Sequence, residues 1–98
     1  MLGRLLAIVR ERRDPIARQR REASYALRSI REFIDGAGDD WDWDDFTSCP
    51  LRDRTLDGIR RRAAMVDLPP GPEEIAQLEA LAVEVEAVAR SSVPLRRT

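Results

Sequence analysis

The apolar residues of this chain recur at the spacing of an α-helix and nowhere at that of a half-buried strand. Ile75, Leu78, Leu81, Ala82, Val85 and Val88 follow steps of three and four, which places them on one helix face. The same steps relate Leu2, Leu5, Leu6 and Val9, then Ile16, Ala23, Leu27, Ile30 and Ile34, then Leu56, Ile59, Ala63 and Val66. No run alternates β-branched with polar residues, so a sheet has no segment to start from.

Breakers divide these stripes. In Asp14-Pro15 the aspartate is a good N-cap, and proline suits the first helical position because its missing N–H would be unpaired there. A helix is expected from Pro15 to about Ile34, ended by Gly36 and Gly38. Asp53 reads as the cap of another helix running to about Val66. Gly58 sits inside it at a cost of about 1 kcal/mol relative to alanine, and close packing on a neighbouring helix is the expected reason. Leu68-Pro69-Pro70-Gly71 breaks the chain again, and Pro72 opens a last helix with Glu73 and Glu74 in its first turn, where the helix dipole favours acids. The fold class expected is therefore all-α: a small antiparallel bundle of three to four helices, with a long acidic and aromatic loop over residues 36–52 between the second and third. Residues 1–90 form one helical domain in this reading, and 91–98 a flexible C-terminal tail.

Composition narrows the chemistry. The chain has 98 residues, enough for one modest core. It contains no His, and its 17 basic residues are all Arg. Without His there is no Ser-His or Cys-His pair and no imidazole for zinc; without Lys there is no Schiff base and no P-loop. Cys49 is the single cysteine, which leaves no disulfide within the chain and no CxxC site. With no His to take its proton, Cys49 reads as a packed or inert thiol, although Arg52 or Arg54 could activate it. No enzyme activity and no cofactor are expected. The single cysteine and the absence of a signal-like segment point to the cytoplasm.

The net charge of −1 conceals blocks of alternating sign. Residues 1–34 are Arg-rich, 35–45 hold six Asp and no base, and 68–88 hold five Glu and no base. The densest block is Asp39-Asp40-Trp41-Asp42-Trp43-Asp44-Asp45-Phe46, which contains both tryptophans. If extended, Trp41 and Trp43 point one way and Asp40, Asp42 and Asp44 the other. Two readings stand side by side. In one, the eight residues Asp39, Asp40, Trp41, Asp42, Trp43, Asp44, Asp45 and Phe46 bind a partner: the carboxylates steer a basic surface inward and a tryptophan anchors it. In the other, the aromatics plug the end of the bundle and the aspartates cap helices or pair with Arg. A calcium loop fits only Asp40, Asp42 and Asp44, since Asp45 stands where glycine is needed and Leu51 where glutamate is needed. No metal is expected.

Arg10, Arg12, Arg13, Arg18, Arg20 and Arg21, with Arg60, Arg61 and Arg62, raise a nucleic-acid reading. The near-neutral total argues instead for a solvated surface paired with the acidic blocks. The Arg-flanked apolar stripe of residues 2–9 also permits a membrane-surface reading, but docking onto the bundle accounts for the same stripe.

Trp43-Asp44-Asp45-Phe46-Thr47-Ser48, then Pro50-Leu51, then Leu56-Asp57-Gly58-Ile59-Arg60, resembles a pattern in small bacterial immunity-type proteins. The resemblance covers about a quarter of the chain. It implies a small non-catalytic inhibitor and carries over no catalytic residues. The function expected is a protein-binding module, an immunity or inhibitor protein that sequesters a toxin or another basic-surfaced partner through the acidic-aromatic segment. The alternatives are a structural homo-oligomer, as a homodimer built on the first and last stripes, and an Arg-rich nucleic-acid-binding module.

Overall fold

The computed structural model describes residues 14–37 and 40–91, with the side chains of Asp40 and Trp41 outside that set. The described residues form four helices and no strand: α1 (Pro15–Asp35), α2 (Asp40–Ser48), α3 (Arg54–Ala64) and α4 (Pro72–Ser91). The expectations for the stripe of residues 2–9 and for the tail fall on residues outside the described ones.

Local chemistry sets the ends of α1. Asp14 Oδ1 accepts from the N–H groups of Ile16 and Ala17 at 3.0 and 3.2 Å. At the other end Gly36 takes a left-handed φ of 69°, which a side chain would resist, and Ala37 N–H returns to Glu32 O at 2.9 Å. Asp53 caps α3 as expected, accepting from Leu56 N–H at 3.0 Å, and α1 holds that cap in place. Gln19 donates to Asp53 at 2.7 Å, while the two oxygens of Glu22 accept from the N–H groups of Arg52 and Asp53 at 2.9 Å each. At the start of α4, Glu74 reaches back to accept from Gly71 N–H at 2.8 Å, the reciprocal half of a capping box.

The stretch expected as a loop over 36–52 is in fact half helix. Asp40–Ser48 makes α2. The strict Asp/Trp alternation suggested a period of two, yet the two side chains that matter for packing, Trp43 and Phe46, are three apart and share a helix face. Acids in the first turn suit the helix dipole, Thr47 Oγ bonds back to Trp43 O at 2.9 Å, and Pro50 stops the helix.

The core joins Ala23, Ala26 and Ile30 of α1, Trp43 and Phe46 of α2, Leu56, Ile59 and Ala63 of α3, and Leu78, Leu81, Ala82 and Val85 of α4. Alanines at 23, 26, 63 and 82 let helix backbones approach closely. Gly58 does not serve that purpose: a Cβ there would meet nothing within 4 Å, and the residue is exposed. It therefore weakens α3 with no packing return. Gly58→Ala is expected to raise stability by about 0.5–1 kcal/mol in a denaturant melt; a loss of stability would show that the glycine has a role the packing does not reveal.

Candidate functional site

The two sides of α2 do different things. Its inner side is aromatic. Trp43 is 7% exposed and stacks on Phe33 of α1 with centroids 4.1 Å apart and planes 13° from parallel. Phe46 is fully buried, 5.5 Å from Trp43 and edge-on to Tyr25 at 5.8 Å. Its outer side is acidic: Asp42, Asp44 and Asp45 are all exposed. Of the eight residues expected to meet a partner, Trp43 and Phe46 lie in the core and are not offered to one. Asp42, Asp44 and Asp45 are at the surface. Asp39, and the side chains of Asp40 and Trp41, lie outside the described residues.

Asp42 and Asp45 also wall a small polar cleft of about 150 Å³ between α1 and α2. Tyr25, Arg28, Ser29 and Glu32 complete it from α1. These four positions recur at three, four and seven residues, so they were legible as one helical face. Nothing in the sequence tied that face to the acidic segment, because their meeting is tertiary. Burial pushes the Tyr25 phenol above its ordinary range, and the nearby Cys49 and Asp45 push the same way, against a hydrogen bond with Ser29 and the positive Arg28. The cleft thus joins three carboxylates, a phenol and a hydroxyl to the guanidinium of Arg28. It contains no activated nucleophile. Cys49 is free and exposed rather than packed.

A buried clamp fixes α2 to α3. Asp57 accepts from Arg60 Nε at 2.8 Å and from Leu51 N–H at 2.9 Å, and forms an ion pair with Arg61, Nε to carboxylate 3.1 Å. Arg60 then donates to Thr47 O, in the last turn of α2, at 2.6 Å. The Arg60 hydrogen bond, followed by that of Leu51 N–H, holds the Asp57 carboxyl below the usual carboxylate range despite its burial. Arg62 pairs with Glu84 of α4. All three arginines of the Arg60-Arg61-Arg62 run are thus engaged by carboxylates of this chain. The resemblance segment of Asp57 and Arg60 is accounted for by this clamp.

Among the described residues no group of carboxylates and thiol could hold a metal ion, and no helix is long and apolar enough to cross a membrane. Comparison with protein-family models, with curated proteins and with solved structures found no match.

Proposed function

We propose that this chain is a non-enzymatic protein-binding module, an immunity-type inhibitor that occludes a basic surface of its partner. In this reading an antiparallel helical bundle is the rigid support and α2 the recognition element. The observation that carries the proposal is the division of α2: the aromatic side is spent on the core, and Asp42, Asp44 and Asp45 stand outward. Clustered like charges repel, so a purely structural helix gains little from them; facing a basic partner they steer encounter and exclude wrong partners. Anchoring passes from the tryptophans to the acidic face of α2 and the adjoining Glu32, beside the Tyr25 ring and Arg28. Such a site needs only to cover the partner's surface, which suits a chain without His, Lys or a reactive thiol pair. A toxin acting on nucleic acid would present the required basic surface.

The test is capture from a lysate of the source organism with the native chain and with Asp42→Asn/Asp44→Asn/Asp45→Asn. The expected result is one stoichiometric partner of basic surface on the native chain and at least about tenfold less on the variant. Equal capture by both would remove the acidic face from the mechanism.

A further inference from the structure

Among the described residues the large apolar side chains left at the surface are Ile16, Met65, Leu68 and Val83. Two of these four fall within one short stretch of the α3–α4 connection, Met65 being 81% and Leu68 55% exposed. Leu68, Pro69 and Pro70 line an apolar pocket of about 390 Å³, closed on the α1 side by Phe33. None of these four residues carries a charge. Phe33 also stacks on Trp43, so the pocket adjoins α2 through that ring. Phe33 lies in the last turn of α1, and this turn departs from a rule that α3 and α4 keep. The carbonyl end of a helix favours cations. α3 ends with Arg61 and Arg62 and α4 with Arg90, whereas α1 has no base in its last turn and carries Glu32 and Asp35 there. On the other wall, Asp67 immediately precedes Leu68. Asp35 and Asp67 are both exposed, and neither forms an ion pair with a described residue. Each of the two segments that make the pocket thus brings a carboxylate that the fold does not use, and such local departures mark functional surfaces.

We propose that this pocket takes an apolar side chain, of leucine or phenylalanine size, that projects from the basic surface of a protein partner. The inference rests on the reading of the chain as a module for a basic partner, and supplies that reading with an apolar anchor. Charge complementarity selects the occupant's surroundings. Asp35, Asp67 and the carbonyl end of α1 attract flanking arginines or lysines and repel an acidic partner. The uncharged lining selects what enters. A leucine or phenylalanine gains by leaving water for Phe33, Leu68 and the two prolines, while a cationic head would lose its water there with no acceptor side chain to replace it. The two parts complement each other. Exposed carboxylates guide an encounter and add little affinity, whereas an apolar side chain seated in a pocket inside a polar rim carries much of the binding. A second copy of this chain fits less well, because a two-fold contact at the pocket would set Asp35 and Asp67 of each chain against those of the other.

Amide NMR of the full chain, titrated with the capped tripeptide acetyl-Arg-Leu-Arg-amide, tests this. The expected result is a set of saturable shifts concentrated on the amides of residues 33–37 and 66–71. The peptide with alanine in place of leucine binds about tenfold more weakly or worse, and the peptide with glutamates in place of the arginines gives no saturation. On the protein side, Leu68→Ser weakens the leucine peptide to the level of the alanine one. Asp35→Asn/Asp67→Asn weakens it about threefold and removes most of its salt dependence. All three positions are exposed, and the peptide series on the native chain needs no variant at all. Equal affinity for the leucine and alanine peptides overturns the proposal. So do shifts confined to residues 42–45, which would leave the acidic face of α2 binding basic groups without the pocket. Shifts of the pocket amides with protein concentration alone, without peptide, also overturn it and give the pocket to a second copy. Asp42→Asn/Asp44→Asn/Asp45→Asn leaves the leucine peptide's shifts at the pocket in place, so failure here and failure of the acidic face are read separately.

Discussion

Replacing Phe46 with alanine is expected to cost about 3–5 kcal/mol of folding stability, the usual range for emptying a buried aromatic site. Phe46 is fully buried and is the largest side chain to be so among the described residues. It touches Trp43 on its own helix and Tyr25 on α1, and so joins α2 to the rest of the core. A domain of this size has about 5–15 kcal/mol in total, so the substitution removes a large share. At roughly 4–8 °C per kcal/mol, the unfolding temperature falls by about 12–40 °C. Phe46→Leu, which keeps most of the volume, is expected to lose less than half as much. A calorimetric scan of the three chains checks both statements. A drop below about 1 kcal/mol for Phe46→Ala would mean that α2 is not docked on the core.

Asp57→Ala should be nearly as costly, at about 3 kcal/mol near neutral pH, because it leaves Arg60 buried beside an empty site and Leu51 N–H without its acceptor. Asp57 and Arg60 are each 8% exposed, so water replaces little of what is lost. Arg60→Met alone also destabilises, since Asp57 keeps its charge and Thr47 O loses its donor. The double variant Asp57→Ala/Arg60→Met is expected to cost clearly less than the two singles added, by about 1–3 kcal/mol, because neither charge is then stranded. Strict additivity in urea melts would mean that the pair does not act as a clamp.

The same carboxylate gives a pH dependence of definite sign. Its folded pKa lies below its unfolded value near 3.9. The stabilisation is therefore fully present above the unfolded value and fades as pH falls through the folded one. Native stability should decline below about pH 4, and Asp57→Ala should flatten that decline. An unchanged acid profile in the variant would remove Asp57 as its source.

Three of the four described helices were legible in the sequence because each has both a periodic stripe and a marked start. Asp14-Pro15, Asp53 and Pro72 stand where α1, α3 and α4 begin. α2 has no Pro at its start, and its Asp/Trp alternation imitates extended chain. Only Trp43 and Phe46 reveal its inner face, and two positions three apart are too few to fix a period. The acidic segment was legible as a candidate site, but its division was not, since burial of Trp43 depends on Phe33, ten residues upstream on another helix. Gly58 misled for the opposite reason: glycine within a helix suggests close packing, and here the space around it is open.

The account rests on α2 having one face for the fold and another for recognition. The unfolding temperature of Asp42→Asn/Asp44→Asn/Asp45→Asn, set beside that of Phe46→Ala, tests this most directly. Removing three exposed carboxylates takes away a favourable dipole contact and relieves mutual repulsion, terms of about 0.3–1 kcal/mol that oppose each other. The predicted result is an unfolding temperature within about 5 °C of the native chain. A fall comparable to that of Phe46→Ala would contradict the account, because the carboxylates would then be holding the structure together rather than facing a partner.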